Sequence, residues 1–181
     1  FVKLTDNKGN EWQGLKTEIN IKNNDDFKGT VLNHYYLTLP GIPLLCSTAN
    51  IEQNTNRYFN REKFIREFYF KLANDLKDSY FTIRNSNEDK IKYKAGRAGR
   101  EINSSKPIIY GSKEREIKLQ IFNTSSSDYF AYTGLEVITS MIANNISLET
   151  GDNTFIPPVF LIFTDNYLPK NLLTNLSKIK F

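Results

Sequence analysis

The stretch Asn60-Arg61-Glu62-Lys63-Phe64-Ile65-Arg66-Glu67-Phe68-Tyr69-Phe70-Lys71-Leu72-Ala73-Asn74-Asp75-Leu76-Lys77 decides how the rest of the chain is read. Phe64, Phe68, Leu72 and Leu76 recur every four residues, and Ile65, Tyr69 and Ala73 widen that row into a core-facing stripe. Asn60 is a favourable N-cap, after which Glu62 and Lys63 open the turn. Arg61, Arg66, Glu67 and Lys71 fall mainly off the stripe. The spacing predicts an amphipathic helix from Asn60 to about Lys77.

On its N-terminal side the chain reads as strands. Val2–Leu4 and Leu15–Ile21 are short strand candidates, separated by turn signals at Asn7-Lys8-Gly9-Asn10. Gly29 to Leu39 is rich in β-branched and aromatic residues, and Pro40-Gly41 ends it. Ile42 to Ile51 is expected to pair back on it. On the C-terminal side Tyr80–Arg84, Ile108–Tyr110 and Glu116–Phe122 read as strands, Ile91–Lys94 is ambiguous, and Gly96–Ser105 reads as a loop. In Glu116–Phe122, Ile117, Leu119 and Ile121 alternate with Glu116, Lys118 and Gln120, the pattern of a sheet with one wet face. Ser125-Ser126-Ser127-Asp128 leads into a second predicted helix with Leu135, Ile138, Met141 and Ile142 on its apolar side. Pro157–Thr164 reads as a buried strand, and Tyr167–Ile179 as a short closing helix. Strands and helices mix without regular alternation. The expected fold class is therefore α+β, a mostly antiparallel sheet packed by two main helices.

The bulk composition narrows function. The chain has 181 residues, 13 Phe and 10 Tyr, enough apolar material for one core. No apolar run approaches the roughly 18 residues a membrane span needs, so no membrane partner is expected. Phe1 stands where an initiator Met would, and no signal peptide precedes the first strand, so we expect a fragment or processed product. Cys46 is the lone cysteine, which excludes an internal disulfide and fits a reducing, cytoplasmic setting. With a single histidine, His34, the chain has no Cys/His zinc set. Both residues sit in apolar or aromatic sequence and read as packed side chains rather than a catalytic base and nucleophile.

The positive charge is local. From Arg84 to Lys118 there are ten Lys/Arg (Arg84, Lys90, Lys92, Lys94, Arg97, Arg100, Lys106, Lys113, Arg115, Lys118) against five acids, a net of +5 in a chain whose total is +4. Gly96-Arg97 and Gly99-Arg100 place two guanidiniums on a glycine-containing segment, where their planar forks suit phosphate oxygens. Tyr80, Phe81, Tyr93 and Tyr110 lie among these charges and offer stacking surfaces for bases. Lys92, Lys94, Arg97, Arg100 and Lys106 are the candidate nucleic-acid-binding residues. The same charges also fit an ordinary solvated loop of a protein-interaction module. Glu114, Glu116 and Lys118 contain an E-x-K step of the kind found in metal-dependent nucleases. Such a site also needs an acid on a neighbouring strand, and only Asp89 and Glu101 are near. No phosphate-binding glycine loop or dinucleotide fingerprint occurs. No catalytic residue, metal site or cofactor is expected of this chain, and the alternative is a stand-alone nucleic-acid-binding or metal-dependent nuclease domain.

The order of several short motifs resembles the N-terminal domain of eukaryotic Argonaute proteins, and the Asn-rich composition fits a budding-yeast member of that family. Gly29-Thr30-Val31-Leu32-Asn33-His34-Tyr35-Tyr36-Leu37 is similar to that domain's opening strand. Asn60-Arg61-Glu62 resembles the start of its first long helix. Ala95-Gly96-Arg97 resembles its Asp-Gly-Arg loop with alanine in place of the aspartate, and Pro107-Ile108 a later Pro-Leu. Glu116–Phe122 is similar to the following strand and Tyr132–Ile142 to the second helix, while Pro157-Pro158-Val159 matches a Pro-Val-Gly step in part. The resemblance covers about Gly29 to Thr164. Residues Ser79–Lys94 are long for it, and the chain after Thr164 does not clearly continue it. It implies an N-like domain over 1–130, with the end of that domain and the start of the first linker over 131–181. It further implies a wedge that helps separate a guide–passenger duplex and limits guide–target pairing. The implied partners are that small-RNA duplex and the PAZ, Mid and Piwi domains of a parent chain. Slicing carboxylates would lie in the Piwi domain, outside this sequence.

Overall fold

A computed structural model describes residues 1–22, 28–53, 57–58, 64–71, 79–84, 89–94, 101–104, 107–112, 117–124, 129–132, 136–143, 147–148, 153–163 and 170–181. In chain order the strands are β1 (Val2–Thr5), β2 (Glu11–Asn20), β3 (Thr30–Thr38), β4 (Leu44–Gln53), β5 (Arg57–Tyr58), β6 (Phe64–Lys71), β7 (Ser79–Arg84) and β8 (Lys90–Lys94). They continue with β9 (Glu101–Ser104), β10 (Ile108–Ser112), β11 (Ile117–Asn123), β12 (Tyr129–Tyr132), β13 (Glu136–Ala143), β14 (Ser147–Leu148) and β15 (Asn153–Phe163), followed by α1 (Lys170–Leu176), the one helix among the described residues.

Nine strands form one antiparallel sheet in the order β1-β2-β3-β4-β15-β11-β10-β7-β8. The first four are a meander. The late strand β15 then inserts between β4 and β11. Three two-stranded pairs, β12-β9, β13-β6 and β14-β5, accompany it.

The predicted α+β class with two main helices is therefore wrong: the described residues are almost entirely β. Phe64–Lys71, inside the first predicted helix, is a strand paired antiparallel with Glu136–Ala143, inside the second. Ile65 faces Ile142, Phe70 faces Val137 and Tyr69 faces Ile138 across that ladder. Phe-Ile-Arg-Glu-Phe-Tyr-Phe satisfies a four-residue spacing, but its aromatic and branched residues also favour a pleated surface. Val137, Ile138, Thr139 and Ile142 lose side-chain freedom in a helix and keep it in a strand. Cross-strand partners then tip both segments the same way. Glu101–Ser104, expected within a loop, is also a strand, paired with Tyr129–Tyr132. The short closing helix is present as α1.

The core gathers along the centre of the large sheet. Trp12, Leu37, Cys46, Ile121, Val159, Phe160 and Leu161 are buried, and Leu176 and Ile179 close over them from the C-terminal segment. The Trp12 indole meets the Phe160 ring at 6.1 Å and the Phe181 ring edge-on at 5.8 Å. Strand β15 holds this central place despite Pro157 and Pro158. The ladder to β4 breaks its register between Ile156 and Val159, where two residues that cannot donate a backbone hydrogen bond are passed over in a bulge. Thr124 caps the irregularity by donating its Oγ1 hydrogen to the Pro158 carbonyl at 2.8 Å.

The wet face expected along β11 is dry at its centre. Gln120 is completely buried, and neither its amide nitrogen nor its amide oxygen has a hydrogen-bond partner. Ile109 and Ile162 face it on the two flanking strands. A polar residue at every second position reads as solvent-facing only if nothing covers that side of the sheet.

The turn between β1 and β2 is built around Asp6. Its carboxylate accepts the backbone N–H of Lys8 and of Asn10, the Asn10 side-chain amide and the Trp12 indole Nε1–H, each at 2.9 Å. Gly9 supplies the left-handed residue at φ 83°. The same turn holds the C-terminal segment. The Asn7 backbone N–H donates to the Lys180 carbonyl, and the Lys180 N–H donates to the Asn7 side chain. Trp12 is thus fixed at its indole nitrogen and packed against both the sheet and the chain end.

Candidate nucleic-acid interface

Strand β8 is one outer edge of the nine-stranded sheet, and it carries the densest part of the basic stretch, Lys90-Ile91-Lys92-Tyr93-Lys94. The register sets Lys90 opposite Arg84, Lys92 opposite Thr82 and Lys94 opposite Tyr80 on β7. Alternation puts positions 90, 92 and 94 on one face of the sheet, together with positions 80, 82 and 84. Neighbouring positions in that row are about 6.7 Å apart along the strand. Lys90 and Lys92 are exposed, as is Asp89 just before them.

One aromatic ring lies within this row. The Lys92 ammonium sits 3.7 Å from the centroid of the Tyr80 ring, a cation–π contact that orients the charge without neutralising it. The ring in turn lies across Gly111 of β10, its register partner. A Cβ at Gly111 would come within 2.6 Å of the ring's Cζ. Gly111, the Tyr80 ring and Lys92 therefore form a stack running outward from the sheet. Thr82 beside it is buried, so the row rests on a packed base.

The structure locates some of the sequence-predicted residues and not others. Lys92 and Lys94 lie two apart on one edge strand. Arg97, Arg100 and Lys106 lie outside the described residues, as do Glu114 and Glu116 of the E-x-K step. Lys118 is half-buried on β11, two strands inward from β7. His34 and Cys46 both belong to the packed sheet. The His34 ring stacks on Tyr36 at 4.4 Å and its Nε2 lies 2.9 Å from the Ser47 hydroxyl, while Cys46 is fully buried. Lys90 belongs to the basic stretch but is not among its five candidate residues; the lysine-x-lysine-x-lysine alternation over 90–94 is the sequence signal that points to it. Among the described residues no three His, Cys, Asp or Glu lie together as a metal-holding group, and no helix is long and apolar enough to cross a membrane.

Together the fold and this edge define an antiparallel β protein with a cationic outer hairpin. No family model matches the chain, and no curated protein sequence matches it.

Proposed function

We propose that this chain is a non-catalytic nucleic-acid-binding accessory domain whose contact surface is the outer hairpin β7–β8. The observation that carries the reading is the exposed pair Lys90 and Lys92 on the edge strand β8, with the Lys92 ammonium held over Tyr80. A phosphate backbone is the chemistry that a row of point cations beside a stacking ring fits best. Its non-catalytic character rests on the sequence, which has one histidine and one cysteine, both packed in the sheet.

The narrower version, a wedge in a small-RNA-guided silencing protein, rests on motif order. Of its strand pieces, Thr30–Leu37 falls in β3 and Ile117–Phe122 in β11. Its two helical pieces run into segments that are strands β6 and β13, so the broader statement is the one proposed. A parent reading frame carrying PAZ, Mid and Piwi sequence would support the narrower version.

The test is fluorescence anisotropy of a labelled RNA duplex across a salt series, comparing the chain with a Lys90→Ala, Lys92→Ala, Lys94→Ala variant. Each phosphate contact removed should lower the slope of log affinity against log salt by about 1. Lysines on an edge strand also discourage unwanted strand pairing. An affinity and slope unchanged in the triple variant would assign them to that purpose and end the nucleic-acid reading. Magnesium-dependent cleavage of the probe, abolished by Glu116→Ala, would replace it with a nuclease.

A further inference from the structure

The opposite edge of the sheet is built differently. Strand β1 covers only Glu11–Gly14 of β2, with Val2 facing Gly14, and continuing that register brings Phe1 opposite Leu15. From there to Lys22 no described strand pairs with the outer side of β2, and every residue of Leu15–Asn20 is exposed. Leu15 and Ile19 are each 52% exposed.

The direction of the free backbone groups follows from two hydrogen bonds. The Ile21 N–H donates to the Thr30 carbonyl, in register with the β2–β3 ladder. Odd-numbered residues of β2 therefore turn their N–H and C=O toward β3. The Asp6 N–H donates to the Asn10 carbonyl on the β1 side, so even-numbered residues turn theirs outward. Glu18, Asn20 and Lys22 thus present backbone donors and acceptors along an open edge. This edge lacks the lysine row that guards β8.

We propose that this edge pairs with the same edge of a second copy of the chain, in antiparallel register about Asn20. A two-fold axis normal to the sheet requires one residue to face its own counterpart, because opposed side chains must share a face. Centring on Thr17 or Glu18 drives the partner's Asn20 or the partner's Ile21 into the row held by Val2 and Phe1. Centring on Ile19 sets Lys16 against the partner's Lys22, a like-charge pair. Centring on Asn20 aligns Glu18-Ile19-Asn20-Ile21-Lys22 with itself, and these paired residues stay clear of the row held by β1. Glu18 then faces the partner's Lys22, Ile19 faces the partner's Ile21, and Asn20 faces the partner's Asn20. The segment reads as self-complementary in both charge and hydrophobicity. The outward-turned residues are the ones that exchange both backbone bonds in this register. A strand pair of this length buries less than the roughly 1,200 Å² of a stable interface, so the dimer is reversible and concentration-dependent.

Sedimentation velocity of the 181-residue chain across a concentration series tests it. A monomer–dimer equilibrium is expected. Glu18→Lys or Lys22→Glu alone should weaken it roughly tenfold, since symmetry places the offending pair twice, and the double swap should restore it. Asn20→Cys should form a dimer-linking disulfide on mild oxidation, because the facing Cα atoms would lie about 5.5 Å apart. Thr17→Cys should not. The charge swaps sit on exposed positions, so both single variants should fold. A chain that stays monomeric throughout overturns the proposal. So does a dimer indifferent to all three charge variants, or one that Thr17→Cys links as readily as Asn20→Cys.

Discussion

Removing the Asp6 carboxylate should loosen the closure between the first hairpin and the C-terminal segment. In Asp6→Ala four donors lose their acceptor: the backbone N–H of Lys8 and Asn10, the Asn10 amide and the Trp12 indole. Lys8 and Asn10 are exposed, so water replaces the carboxylate for them and each loss is small. The Trp12 side chain is fully buried, so its Nε1–H is left without a partner. An orphaned buried donor costs about 1–3 kcal/mol, and with the loosened turn the total should reach about 2–4 kcal/mol. For a chain of this size that lowers Tm by roughly 5–15 °C. Urea unfolding followed by the fluorescence of Trp12, the one tryptophan, reads the change directly. The pH dependence gives a second readout. Burial pulls the Asp6 pKa up, but the hydrogen bonds from Asn10, Trp12 and Lys8 outweigh it and hold the folded value below the usual 3.8. The unfolded chain therefore binds more protons in that window. The contribution of Asp6 is fully present above the unfolded pKa and is lost as pH falls through the lower folded value. In Asp6→Ala this part of the acid loss should disappear. A destabilisation under about 0.5 kcal/mol, the scale of an ordinary surface substitution, with an unchanged acid limb, would refute the reasoning.

Two further substitutions, with a third as an exposed control, probe the packing that positions both edges. Gly14→Ala builds a Cβ that overlaps the Tyr36 carbonyl oxygen and lies 2.9 Å from the Leu37 Cα. Backbone must move to admit it, so a loss of about 1–3 kcal/mol in the urea midpoint analysis is expected. Phe160→Ala empties a fully buried site between Trp12 and Phe122. It should cost about 3–5 kcal/mol by the same assay, whereas Leu172→Ala, at a 41% exposed position, should change stability by less than about 0.5 kcal/mol.

The sequence by itself located the first four strands. Val2–Leu4, Leu15–Ile21, Gly29–Leu39 and Ile42–Ile51 overlap β1 to β4, because branched and aromatic runs bounded by Asn-Lys-Gly-Asn and Pro-Gly turns leave little choice, although β2 starts earlier, at Glu11. It also marked the basic stretch and the packed settings of Cys46, which is fully buried, and His34, which is half-buried and stacked on Tyr36. Tertiary structure alone decided the rest. Phe64–Lys71 and Glu136–Ala143 each carry a helical spacing, and only their mutual pairing makes both strands, a contact between segments far apart in the chain. Gln120 alternates as a solvent-facing residue should, yet it is buried because the sheet is covered on that side. The candidate interface followed the same rule. Positions 90, 92 and 94 form a row on one sheet face because β8 is a strand, and that row lies at a rim because no described strand pairs beyond β8. An edge is a property of strand order, and strand order is set by which distant segments find each other.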